Sequence, residues 1–282
     1  MVKKIAAKCF IYLVLFLMYV PILVLIVYSF TTTSQIGQWN NVLTFQLYVN
    51  LFQNTDIMKA CGNTIILALI AAAVSTLLGT IGAIGTFYAN KRLRSAIENV
   101  NQIPVVNAEI VIALSLTFVF VIAGQYIFRT KIFSFWTLLI GHLVLCAPFV
   151  YLNVKPRLQQ LDPALYEAAL DLGASPRLAM TKVMVPQLMP GILSGFMLSI
   201  SLSLDDFIVT AFTRGPGLLS GDESIQTIST YIQGVIKKKS IPIELRALTT
   251  IIFIGVIVMA ILITLYNNNQ LHKIKKRKGR DY

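Results

Sequence analysis

Three carboxylates stand where hydrocarbon disfavours charge. Glu109, Asp205 and Asp206 are the only charged residues within six long apolar runs of a 282-residue sequence, and no Lys or Arg shares those runs. The chain as a whole has a formal charge of +12, so its apolar interior inverts the sign of its surface. Ionisable groups at membrane depth are costly and mark cavities or substrate routes. Acids there favour a cation over an anion, and the neighbouring Phe207 offers an aromatic face to the same charge. At about 1.5 Å per residue, Asp205 and Asp206 are expected roughly 10 Å from the outer end of the fifth run. Glu109 is expected about 9 Å from the inner end of the third, which would put acids near both mouths of a pathway. A purely structural reading stands beside this one. Asp205 can pair with Arg214, Glu109 can accept from Asn107 or nearby backbone, and neighbours on a helix point about 100° apart. His142 reads more readily as a hydrogen-bonded helix contact than as a proton relay.

The elements that must hold these acids are membrane helices. The runs Cys9–Phe30, Asn63–Phe87, Ile103–Ile127, Ile132–Leu152, Pro186–Phe212 and Ala247–Tyr266 are 20 to 27 residues long. A helix of roughly 20 residues crosses about 30 Å of hydrocarbon. With 56% apolar and 13% charged residues, a disordered chain is excluded and an ordinary soluble enzyme is disfavoured. No stretch between the runs exceeds 34 residues, too short for a separate catalytic domain. The expected organisation is one transmembrane domain over 1–282, with a segment 153–185 and a basic tail 267–282 on one side. An even number of crossings puts both termini on that side. It would hold 16 of the 24 Lys and Arg residues, as the positive-inside rule requires of the cytoplasm.

The basic tail reads as an anchor to anionic lipid rather than a nucleic-acid contact. The first run is too long for a signal-peptide core and is read as a retained helix. Cys9, Cys61 and Cys146 lack metal-ligand spacing and read as packing residues. Small residues in the second run (Ala71, Ala72, Ala73, Gly79, Gly82, Ala83 and Gly85) suit close helix packing. Pro21, Pro148 and Pro190 are expected to kink their helices.

Segment 153–185 carries the sharpest local signals. Asp162-Pro163 starts a helix, with an acceptor at the cap and proline at the first helical position. Gly173 stops it, being the residue that adopts the left-handed conformation most cheaply. Leu165, Ala168, Ala169 and Leu172 share one face, and Ser175-Pro176 starts a second helix toward Val185. So short a helix needs something to pack against. Its small, Ala-rich face suits a protein groove better than a lipid surface.

Glu167-Ala168-Ala169, three residues, Gly173, nine residues, Val183, one residue, Val185-Pro186 resembles the EAA loop of ATP-binding-cassette importer permeases. The two valines are conservative departures and the spacing is intact. The resemblance implies an all-α transmembrane fold, a six-helix type I (MetI-like) permease with a cytoplasmic coupling helix. In that family the loop enters a cleft of the ATPase subunit. Glu167, Ala168, Ala169, Asp171 and Gly173 would then contact the motor. The sequence holds no Gly-Lys pair, hence no phosphate-binding P-loop of its own.

The stretch Ser201–Gly217, SLSLDDFIVTAFTRGPG, resembles the fifth-span signature of spermidine/putrescine permeases of the C-type subunit. His142…Pro148-Phe149-Val150, Asn63-Thr64, Trp39 and Tyr48–Phe52 fit the same family, and the similarity covers roughly residues 10–265. Two features depart from it: Ala108 replaces the proline usual before Glu109, and Leu218–Ser224 is an unusual connection. The resemblance implies a non-enzymatic permease in a bacterial plasma membrane that needs no cofactor or metal. It also implies an ATPase dimer, a sister permease and an external polyamine-binding protein as partners; Glu109, Asp205, Asp206 and Phe207 are expected on the substrate path from the charge argument above. A permease for another solute (ferric iron, thiamine or a small organic cation) and a non-transporting sensor or scaffold are the alternatives. The outer segment Ser224–Lys239 aligns Ile225, Ile228, Ile232 and Val235 on one helical face, to support the binding protein or to rest on lipid headgroups.

Overall fold

The computed structural model describes residues 2–33, 43–128, 132–162, 164–215, 225–237 and 242–258, and every regular element among them is helical. The chain divides into two compact units: described residues up to Met58 with those from Val235 on, and Lys59 to Gly234.

In the first unit, helix α1 (Val2–Tyr28) presents its apolar side chains outward along the candidate span Lys8–Tyr28. It carries Pro21 within its length. At its end the Ser29 hydroxyl meets the Tyr48 hydroxyl at 2.8 Å. Phe30 stacks edge-on against Phe45 and lies against Tyr48 of α2 (Gln46–Gln53). The Asn54 side chain then accepts from the Asp56 and Ile57 amides and starts α3 (Thr55–Tyr88).

The second unit is built around its most buried span, α6 (Phe135–Gln160), whose start is closed by a capping box between Ser134 and Thr137. What lets neighbours approach α6 is small residues, the usual device where hydrocarbon gives helices no hydrophobic reason to associate. On α3, a Cβ at Gly79 would fall 2.6 Å from Val150 Cβ. On α9 (Val185–Asp205), Gly191, Gly195, Ser199 and Ser203 recur every fourth residue and are all buried. Two apolar clusters lie along α6. One joins Leu138 and Leu139 with Leu67, Ala71 and Ile225; the other joins Val150, Val154 and Leu158 with Ala83 and Leu188.

Five described helices are long and apolar enough to cross a membrane: Lys8–Tyr28, Thr55–Tyr88, Glu109–Ile127, Phe135–Gln160 and Pro176–Asp205. A shorter apolar helix, Leu245–Val258, covers the start of the sixth expected run; the rest of that run and the basic tail lie outside the described residues.

Two expected runs differ from the structure. Ile103–Ile127 is not one helix: α4 (Lys91–Val106) ends at Asn107, and α5 starts afresh at Glu109, running to Ile122 with a π-helical extension to Phe128. Pro186–Phe212 also divides, because α9 ends at Asp205 and α10 (Ile208–Thr213) starts after two intervening residues. Pro148 and Pro190, by contrast, lie inside continuous helices. Within the outer amphipathic segment Ile225 is buried, and α11 (Ile228–Lys237) follows, in which Ile228, Ile232 and Val235 are half-buried.

Candidate functional site

The turn after α6 is assembled by local side chains. Asp162 accepts from the Ala164 amide at 2.9 Å and starts α7 (Ala164–Asp171). Gly173 ends it at φ +85°, with the Ala174 amide bonded to Ala169 O and the Gly173 amide to Leu170 O. That pair of bonds is the Schellman arrangement. Ser175 then caps α8 (Pro176–Ala179), which continues through a π-helical turn, Met180–Met184, into α9.

Of the face expected to be covered, Ala169 alone is buried. Glu167, Ala168, Asp171 and Gly173 are exposed, Leu165 is 39% exposed and Leu172 is 89% exposed. An exposed leucine at the tip of a short helix gains nothing from its own chain, whereas burial by a partner would recover about 1.5–3 kcal/mol.

The membrane acids stand in the zone of the two helix breaks: Glu109 is the first residue of α5, and the two aspartates sit where α9 gives way to α10. Thr117 of α5 donates to Phe212 O of α10 and ties the two helices together.

Within this zone the adjacent aspartates differ. Asp205 and Glu109 are exposed and Phe207 is half-buried. Asp206 is 5% exposed, and its carboxylate accepts from the Val209 amide at 3.1 Å, the Thr210 amide at 2.8 Å and the Thr210 hydroxyl at 2.8 Å. It is the cap of α10. Leaving a buried donor bare costs about 1–3 kcal/mol, so this carboxylate is firmly committed.

His142 of α6 lies beside it. Its Nε2 is 3.0 Å from Thr210 Oγ1 and 3.7 Å from the Asp206 carboxylate, and its Nδ1 is 2.9 Å from Ser203 Oγ. Because the Thr210 hydroxyl donates to Asp206, it must accept from His142 Nε2–H. A neutral imidazole then accepts from Ser203 at Nδ1. All four side chains are buried and satisfied.

A further charged group escaped the sequence reading. Glu98 of α4 bonds Lys155 at 2.8 Å and Arg94 at 2.9 Å, bracing α4 against α6. These hydrogen bonds hold the Glu98 carboxyl below its ordinary value. The i,i+4 spacing of Arg94 and Glu98 was a readable signal; the contact with Lys155, 57 positions on, was not. Among the described residues, no group of three or more His, Cys, Asp or Glu is placed to hold a metal ion.

Comparison with known proteins supplies a wider frame. The family described as "Binding-protein-dependent transport system inner membrane component" matches residues 75–275. The chain is 31% identical over 244 residues to the spermidine/putrescine transport system permease protein PotC of Escherichia coli K12, covering 86% of this chain and 87% of that one. It is 32% identical over 205 residues to the putrescine transport system permease protein PotI of the same strain, 71% of each chain. Among solved structures, a chain of a bacterial ABC transporter involved in the import of the acidic polysaccharide alginate superposes with a TM-score of 0.69. That match has 18% identity and covers 95% of this chain and 94% of the other; at that identity it establishes a shared fold.

Proposed function

Because the chain belongs to the family of binding-protein-dependent transport system inner membrane components, we propose that it is a multi-pass permease subunit of an ATP-driven polyamine importer. Putrescine and spermidine are flexible chains bearing two or three ammonium groups. The observation that carries this reading is the exposure of Asp205 and Glu109 within apolar runs that hold no Lys or Arg to neutralise them. Phe207 beside them can face an ammonium group. These groups need bind only weakly, since a conduit must also release. The relatives named for spermidine and putrescine agree with that chemistry.

The chain does no covalent chemistry in this account. Energy comes from a separate ATPase dimer gripping the α7 turn, with Glu167, Ala168, Ala169, Asp171 and Gly173 at the contact. Closure of the ATPase would draw this turn toward its counterpart on a sister permease and open the route toward an external polyamine-binding protein, as rocking bundles do in transporters generally. Both termini would face the cytoplasm, as the bias of Lys and Arg supports.

The test is uptake of labelled putrescine and spermidine by bacteria that lack polyamine import. These cells would express the ATPase, binding protein and sister permease, with or without this chain. Energy-dependent accumulation of either amine is expected only with it. Equal accumulation without the chain, or import of ferric iron or thiamine instead, would overturn the assignment.

A further inference from the structure

We propose that the two adjacent aspartates divide the work. Asp205 meets the transported cation, whereas Asp206 is a positioning residue that, with His142, locks the half-helix α10 onto α6 and so fixes where Asp205 stands. The proposal rests on the polyamine-permease reading for Asp205; the lock itself can be measured without substrate.

The break between α9 and α10 falls inside an apolar run, where an uncapped helix start would leave amide donors without water to serve them. Asp206 supplies the missing acceptor to the Val209 and Thr210 amides. A cation drawing that carboxylate away would strip three buried donors at once. The donors of the network run in one direction, from Ser203 to His142 to Thr210 to Asp206, and therefore join α9, α6 and α10 through side chains that are all buried.

The backbone around the network is equally confined. A Cβ on Gly141 would lie 2.7 Å from Val209 Cγ1 and 3.0 Å from Thr213 Oγ1. The Thr137 hydroxyl donates to Thr213 O at 2.9 Å, and the Ser229 hydroxyl donates to Asp206 O at 2.8 Å. Half-helix α10 is thus held on several sides. Asp205, one residue earlier, is exposed, and among the described residues no hydrogen bond or ion pair engages it. Equal chemistry at neighbouring positions therefore carries unequal commitments.

The distinction predicts opposite substitution patterns. In the complete transporter reconstituted in proteoliposomes, Asp206→Asn keeps one of the two acceptor oxygens at the cap and should lose less spermidine uptake than Asp206→Ala, by at least about threefold. Asp206→Ala and His142→Ala should each lose more than about tenfold with the complex still assembled. At position 205 charge is what matters, so Asp205→Asn and Asp205→Ala should fall alike while Asp205→Glu keeps part of the activity.

A second measurement reads the lock alone. The rate of disulfide formation of a cysteine pair at positions 137 and 213, on α6 and at the end of α10, is first measured in the parent. Formation should slow at least about fivefold with Asp206→Ala and remain unchanged with Asp205→Asn. If Asp206→Ala yields no assembled complex, Thr210→Val replaces it, because it removes the hydroxyl joining imidazole to carboxylate; slowed disulfide formation there supports the lock. The proposal is overturned if Asp206→Asn falls as far as Asp206→Ala with the disulfide rate untouched. Wild-type uptake and disulfide rate in Asp206→Ala, or in Thr210→Val, overturn it as well. A chain that carries no polyamine at all removes the Asp205 half, and the disulfide rates still decide the Asp206 half.

Discussion

The α7–α8 turn and the α9–α10 break are both places where one helix stops and another starts within a few residues, yet they are built in opposite ways. At the turn, caps come from polar residues in an exposed setting, and the apolar side chains Leu165 and Leu172 are left outside. At the break, the capping carboxylate is buried with its imidazole, and nothing polar in the network is left unserved. A region that leaves apolar surface open has that surface to offer a partner. A region that spends its polar groups on itself is shaped to hold its own geometry.

The contrast can be broken most severely at Gly173. Its φ of +85° disfavours any L side chain, although a Cβ there would meet nothing within 4 Å. Gly173→Val therefore costs about 1–2 kcal/mol of conformational strain without a clash. Substrate uptake should fall more than about thirtyfold while the spans still insert, measured as transport per assembled complex.

Gly141→Leu acts on the other side of the comparison, through a clash with Val209 and Thr213 rather than strain. Overpacking of that kind costs about 1–3 kcal/mol. The yield of folded complex should drop about tenfold in detergent-stability measurements, together with uptake.

Leu172→Ser sharpens the difference. Because Leu172 is 89% exposed, the change should leave the thermal stability of the isolated chain within about 0.5 kcal/mol yet weaken ATPase binding several-fold. Val209→Ser, at a fully buried position of α10, should lower stability and uptake together.

The smallest effect belongs to Glu98, which touches neither region directly. Its carboxyl is held below the ordinary value. The stability it contributes is present above that ordinary value and is lost as pH falls through the lowered one. Amide exchange in α4 should accelerate below about pH 4, and Glu98→Gln should abolish that step. A partly exposed pair of this type is worth about 0.2–1 kcal/mol.

Legibility in the sequence followed the same divide. Asp162, Gly173 and Ser175 could be read because caps and stops are local chemistry, decided within four residues. The long apolar runs were equally plain, since their lengths match a bilayer. The breaks at Asn107–Ala108 and Asp206–Phe207 were not read, because each lies inside a run long and apolar enough to pass as one span, without Gly at the interruption. Asp206 looked identical to Asp205; its bonds to the start of α10 and the approach of His142, 64 positions earlier, separate their roles. Grouping Glu109 with them likewise depended on α5 lying against α10, a tertiary fact that no spacing encodes. Likeness to known permeases identified the kind of protein, but it did not distinguish one aspartate from the next.

The central claim is that the exposed turn is where an ATP-driven motor engages a chain whose own interior carries the cation path. Its most direct test is photocrosslinking from a probe installed at position 172 in the working complex. An adduct with the ATPase subunit, whose yield changes when ATP is bound, is the predicted result. Adducts with lipid alone, in a complex still active in polyamine uptake, would contradict it.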